Sequence, residues 1–323
     1  MELYAATEKN IQIAAELIRG GGLVAFPTET VYGLGADGLN ATAAASIFEA
    51  KKRPFFDPLI LHIARMDSLY DIAETPDSRI LSLAEKFWPG PLTIVVKKKQ
   101  HVPDIVTSGL ETVAIRMPDH PVAQKLIELS RTPLAAPSAN RFGSISPTSA
   151  LHVSRQLHDS AGIILDGGEC HVGIESTIIA SSGSGITLLR PGGIPVEAIE
   201  EAAGIKLQAA EQGSMPNAPG QLPYHYSPEK PVHLVDRITE DIPNAGLLFF
   251  RQPQFVCPAG RSLVLSPSGS LREAAANLFA HLHMLDSMDI DSIYAERVPG
   301  TGLGLGIMDR LTRASMKKQL IKT

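Results

Sequence analysis

The chain has 323 residues, 44% of them apolar and 20% charged, with a formal net charge of −5. That length exceeds the size at which one hydrophobic core usually keeps growing, so two domains are expected, and the acidic balance argues against broad electrostatic capture of nucleic acid. With only Cys170 and Cys257, a disulfide framework is not expected and a Cys-x-x-Cys zinc ribbon is excluded; with no run near the ~18 apolar residues of a membrane span and no signal-like start at Met1, a cytoplasmic, membrane-free protein is expected.

In chain order, Ile11, Ala14, Ala15, Leu17 and Ile18 recur at helical spacing until Gly20-Gly21-Gly22 stops them. A buried strand follows at 23–26, turned by Pro27, then a helix at 41–51 and a strand at 59–63. Helix and strand signals continue through 79–87, 93–96, 112–116, 122–130, 149–158, 162–165, 176–180, 186–190 and 196–203. This mixed order predicts an α/β domain over residues 1–205. Residues 206–230 change character: Gly213, Pro216 and Pro219 break regular structure, as in a linker. Tyr224-His225-Tyr226 makes that linker too aromatic to be passive. Over 231–323, strands at 232–235, 246–250, 263–265 and 293–295 alternate with helices at 271–286 and 307–315. That pattern predicts a smaller Rossmann-like domain. The glycine-rich 300–306 stretch carries no Walker lysine and reads as a loop.

Three segments of the first domain carry candidate chemistry. Lys51-Lys52-Arg53 precedes Pro54, which disfavours helical geometry at Arg53, so the triplet belongs at a helix end. There it either complements the helix dipole or clamps phosphates, Arg as a planar fork and Lys as a point charge. Ala135-Ala136-Pro137-Ser138-Ala139-Asn140 is a strand-exit loop rich in small residues and hydrogen-bonding groups. Arg190 ends a strand beside Gly192-Gly193, which suggests an anion contact with close backbone approach. Ligands favour strand exits in such sheets. His281 and His283 lie in a Leu-rich helical stretch without nearby carboxylate or thiol partners, so no protein-held metal is expected there.

The strings are more specific than their chemistry. Phe26-Pro27-Thr28-Glu29-Thr30-Val31-Tyr32-Gly33-Leu34 is followed by Lys51-x-Arg53-Pro54, then Phe87-Trp88-Pro89-Gly90-Pro91-Leu92-Thr93, Ala114-Ile115-Arg116-Met117-Pro118 and Pro137-Ser138-Ala139-Asn140. In this order they resemble the L-threonylcarbamoyladenylate synthase family, whose catalytic domain has the YrdC-like fold. Ser176-Thr177-Ile178 and Leu189-Arg190-Pro191-Gly192 extend the resemblance to about residue 200. Pro219-Gly220, Tyr224 to Pro228 and Ile307-Met308-Asp309-Arg310-Leu311 resemble the linker and last helix of the long, two-domain members.

The resemblance implies a nucleotidyltransferase that turns ATP, L-threonine and bicarbonate into threonylcarbamoyl-AMP and pyrophosphate. Its product would feed a transferase complex that forms threonylcarbamoyladenosine in tRNA. It implies an open twisted α/β sheet with a concave active-site face. Lys51, Arg53, Ser138, Asn140, Ser146 and Arg190 would surround the nucleotide, with Asp57 and Thr112 nearby and Tyr226 folding over as part of a lid. Thr30, His62, Arg116, Ala136 (through its backbone) and Ser176 would hold threonine, Arg116 gripping its carboxylate. Lys51 and Arg53 are the candidate catalytic groups, and Mg²⁺ is expected on the phosphates. Asp57 stands where many relatives have Asn and would repel phosphate unless a cation bridges it. The alternative is an RNA-binding module without synthase activity, helped by Lys97-Lys98-Lys99, which otherwise reads as a solvated turn. A carbamoyl transferase of the hydrogenase-maturation type needs zinc-finger cysteines that this chain lacks.

Overall fold

The computed structural model describes residues 1–160, 162–183, 185–210, 225–257 and 260–316. Its elements run β1 Glu2–Ala5, α1 Glu8–Arg19, β2 Val24–Phe26, β3 Gly33–Asp37, α2 Ala41–Lys51, β4 Ile60–His62, α3 Leu69–Ile72 and α4 Ser78–Phe87. There follow β5 Leu92–Lys97, α5 Asp104–Thr107, β6 Thr112–Arg116, α6 Pro121–Ser130, β7 Leu134–Ala135, α7 Ala150–Leu157 and β8 Ile163–Asp166. β9 Thr177–Ser182, β10 Gly185–Arg190, α8 Val196–Ala203 and β11 Gln208–Ala209 complete the first unit. The second holds β12 Val232–Val235, β13 Ala245–Phe249, β14 Ser262–Val264, α9 Leu271–Asp286, β15 Ser292–Glu296 and α10 Leu303–Ser315.

The first eleven strands form one mixed sheet in the order β1-β8-β2-β3-β7-β4-β6-β5-β9-β10-β11. α1 and α6 cover one part of it: Ile11, Ala14, Ala15 and Ile18 meet Phe26, Leu126, Ile127 and Leu165. This is the helical stripe that the spacing predicted, begun by Thr7, whose side chain caps the Asn10 amide. A larger core gathers α2, α4, α7 and α8. The second sheet is parallel throughout, in the order β12-β15-β13-β14, and packs on α9 and α10.

The two units share a core. Val31, Ile145 and Ile174 of the first are packed with Tyr226, Leu278, Phe279, Ile307 and Leu311. At that seam His283 of α9 stacks on His152 of α7, ring centroids 3.9 Å apart, and its Nε2 lies 3.2 Å from the Ser146 carbonyl. Burial pulls His152 down to about 3 and His283 to about 4.

Two expectations change. The glycine-rich 300–306 stretch is not wholly loop, because α10 begins at Leu303 and takes in Gly304 and Gly306. Gly306 lies in the helix where Ile174 and Gly192 press against it, so small residues serve packing there. The predicted linker is partly sheet, since β11 pairs in parallel with β10; residues 211–224, including Pro219, Gly220 and Tyr224, lie outside the described residues. Lys97 and Lys99 of the three-lysine run are exposed, as expected, and each lysine also has a local partner: Glu74 for Lys97, Asp104 for Lys98 and the Tyr70 carbonyl for Lys99.

Candidate active site

Several strand and helix ends converge on one cleft. β4 and β6 run parallel with His62 opposite Arg116, so both side chains leave the sheet together at its carboxyl edge. β7 turns out through Ala136, Pro137 and Ser138, and Ser138 bridges back to Gly33. On the far side Ser176 directly precedes β9 while Arg190 closes β10. An irregularity between Leu188 and Arg190 turns the arginine toward Ser176. Arg190 donates through Nε and Nη2 to the Ser176 carbonyl at 3.2 and 3.0 Å, and Nη2 lies 3.2 Å from Ser176 Oγ.

α2 delivers the basic triplet. Ala43, Ala44, Ile47, Phe48 and Lys51 are its buried residues, so Lys51 shares the apolar stripe and is carried inward at the helix end. Its Nζ donates to the carbonyls of Ser138 and Asn140. Burial, then the neighbouring Arg53, hold its pKa well below the lysine value. Lys52 is exposed at the helix C-cap in a left-handed conformation, φ 53°. That twist brings Arg53 back inward to the cavity wall, 2.9 Å from Asp57.

The cavity carries a repeated pairing of buried charge. Arg53 is matched by Asp57, Arg116 by Glu29 at 2.6 Å, and Glu175 by Arg310 of α10 at 3.0 Å. Burial alone would raise Glu175, but the Arg310 and Arg190 guanidiniums outweigh it and hold the carboxyl below its usual range. Glu175 also accepts from Ser146 Oγ at 2.5 Å. Over this floor lie His225 and Tyr226, the Tyr226 ring 5.6 Å from Phe279 and 5.3 Å from the Arg310 guanidinium. Tyr226 is 1% exposed with φ 62°, and burial pushes its hydroxyl up to about 12. The neighbouring Ser227 amide is tied to the Gly143 carbonyl at 2.8 Å.

A family model covering Sua5, YciO and YrdC, described as telomere recombination, matches residues 16–192. A second, the C-terminal domain of threonylcarbamoyl-AMP synthase, matches residues 194–316. The threonylcarbamoyl-AMP synthase of Pyrococcus abyssi is 44% identical, over 95% of this chain and 94% of that protein. That of Bacillus subtilis is 40% identical, over 96% and 94%. This chain belongs to the threonylcarbamoyl-AMP synthase family. The crystal structure of P. abyssi Sua5 complexed with L-threonine superposes with a TM-score of 0.88, at 40% identity, covering 97% of this chain and 96% of that one. The crystal structure of Escherichia coli YciO, 23% identical with a TM-score of 0.51 over 58% of this chain, shares the fold of the first unit.

Of the residues that the synthase resemblance singled out, Arg53, His62, Arg116, Ala136, Ser138, Ser176, Arg190 and Tyr226 line the cavity. Lys51, Asn140, Ser146 and Thr30 are buried just behind it: Lys51 against the Ser138 and Asn140 carbonyls, Ser146 on Glu175, Thr30 on the wall residue Thr28. Asp57 is fully buried as the partner of Arg53 and does not line the cavity, which removes the repulsion feared from its charge. Thr112 does not line the cavity. It pairs with Lys97 at the opposite end of β6 from Arg116, and four residues of strand separate the two by ~13 Å. Glu29, Glu175, His225 and Arg310 were missed. Glu29 and Arg310 stood inside quoted motifs and His225 beside Tyr226, but a carboxylate in a predominantly basic pocket has no signal until its arginine is seen.

Proposed function

We propose that the chain condenses ATP, L-threonine and bicarbonate to threonylcarbamoyl-AMP and pyrophosphate. Three buried arginines, Arg53, Arg116 and Arg190, converge on one cavity beneath Tyr226 in a member of the synthase family; that observation carries the reading. Arg116 would grip the threonine carboxylate, for which a guanidinium offers two parallel donors. Its neighbour His62, pulled down to about 3 chiefly by burial, is neutral at physiological pH and so adds no competing charge there. The amine would take up carbon dioxide as a carbamate, whose oxygen attacks the α-phosphorus as pyrophosphate leaves. Lys51, Arg53 and Arg190 would stabilise the charge that gathers on the phosphates, and their fixed positions mean little reorganisation in the transition state.

Mg²⁺ would enter on the ATP phosphates and neutralise part of their charge. Among the described residues no group of three or more His, Cys, Asp or Glu side chains forms a site to hold an ion without them. His225 and Tyr226 would exclude water, protecting a carbamate that decomposes readily in it. No described helix is long and apolar enough to cross a membrane, and we place the activity in the cytoplasm. A tRNA threonylcarbamoyl transferase complex would consume the product, with direct RNA contact weak at most.

The test is pyrophosphate release from Mg·ATP with threonine and bicarbonate omitted in turn, alongside mass spectrometry of the nucleotide product. Release that needs both, with a threonylcarbamoyl adenylate formed, is expected. Release indifferent to threonine would reject the substrate.

A further inference from the structure

Glu29, the counterion of Arg116, does not itself line the cavity and is the least explained charge beside it. Glu29 is 1% exposed and its Oε2 stands 2.6 Å from Arg116 Nη2, yet neither carboxylate oxygen takes an aligned hydrogen bond among the described residues. Buried carboxylate oxygens are ordinarily satisfied. The position is held firmly. The Glu29 carbonyl accepts from the Val172 amide at 2.8 Å, and the preceding Thr28 bonds the Val31 carbonyl at 2.6 Å and the Thr30 hydroxyl at 2.9 Å. Nor is Glu29 shared with the phosphate-facing arginine, since Arg53 has Asp57.

An α-amino acid carries its ammonium within a few ångströms of its carboxylate. If Arg116 takes the carboxylate, the ammonium enters the field of Glu29. A ligand with the carboxylate alone meets a seat whose charges already cancel. We propose that Glu29 is the specificity determinant of the amino-acid seat, setting it to accept a zwitterion and to reject the plain hydroxy acid of the same skeleton. The inference rests on the reading that Arg116 holds the threonine carboxylate. It assigns Glu29 an electrostatic part that Gln, of the same shape, would not supply.

Calorimetric titration of the full chain with L-threonine and with 3-hydroxybutyrate, which is threonine without its amino group, tests this. The wild-type protein is expected to favour threonine by roughly tenfold or more, as two unit charges a few ångströms apart in a buried site allow. Glu29→Gln should tighten 3-hydroxybutyrate and bring the two affinities within about threefold, whereas Glu29→Asp, which keeps the charge, should retain the preference. An unchanged preference in Glu29→Gln, with threonine still bound, overturns the inference. If Arg116→Lys binds threonine as tightly as the wild type, the seat itself is misplaced and both readings fall. Should Glu29→Gln not fold, the wild-type protein decides. L-threonine methyl ester, a cation without the carboxylate, should bind roughly tenfold more tightly than uncharged methyl 3-hydroxybutyrate; equal binding overturns the inference.

Discussion

Arg116 sits at the end of β6, lines the cavity and is paired with Glu29, so replacing it has two effects at once. Arg116→Ala removes the group proposed for the threonine carboxylate and leaves Glu29 as a buried, uncompensated charge. Truncating one partner of such a pair costs about 2–5 kcal/mol. We expect threonine kcat/KM to fall ~100-fold or more while ATP affinity, measured separately, changes little; equal losses for both substrates would place Arg116 elsewhere in the reaction. The His152–His283 stack makes a prediction about pH. Both imidazoles titrate far lower folded, at about 3 and about 4, than the 6.5 they start from. Below 6.5 the unfolded chain therefore binds more protons than the folded one, and stability falls as pH drops from 6.5 toward 4. His283→Asn should flatten that part of the curve in urea titrations at stepped pH. A slope identical to wild type would show that other groups dominate it.

Much of the architecture was legible from element patterns, and the failures have physical causes. α1 and α2 announce themselves because their apolar residues repeat at helical spacing, and β4 to β6 because apolar runs are bounded by turn residues. β1 escapes notice because it is a largely exposed edge strand with no apolar alternation. β3, Gly33-Leu34-Gly35-Ala36-Asp37, escapes because its glycines mimic a turn. The first residues of α10 read as loop for the same reason, although Gly306 answers a contact with Ile174 and Gly192 of the first unit. The loop after β10 was read correctly as needing close backbone approach. A Cβ on Gly192 would stand 2.3 Å from the Glu175 carbonyl oxygen and 2.4 Å from the Ser176 carbonyl carbon, both backbone atoms that cannot move aside. Gly192→Ala is therefore expected to destabilise by about 3 kcal/mol or more, lowering the melting temperature and displacing Glu175 and Ser176 from the cavity. A variant as stable as the wild type would mean that the loop yields.

At the scale of the whole molecule, the second unit contributes to the wall of the first. Arg310 is fully buried, is paired with Glu175 and also donates to the Pro191 carbonyl, while Val31, Ile145 and Ile174 are covered by α9 and α10. Deleting everything after Gly204 would strip the partner from Glu175 and expose those apolar side chains. The shortened chain should lose most turnover and melt at a lower temperature, even where its own sheet persists; undiminished activity would refute a role for the second unit in the site. Because one core contains side chains of both units, the intact chain should unfold in a single calorimetric transition with matching van't Hoff and calorimetric enthalpies. The shared core has another consequence, for linkage. Each half behaves toward the other as a bound ligand whose effective concentration is set by the chain between them. Expressed as two separate polypeptides, the halves should recombine by mass action. The melting temperature of the mixture should then climb with concentration, while that of the unbroken chain stays constant.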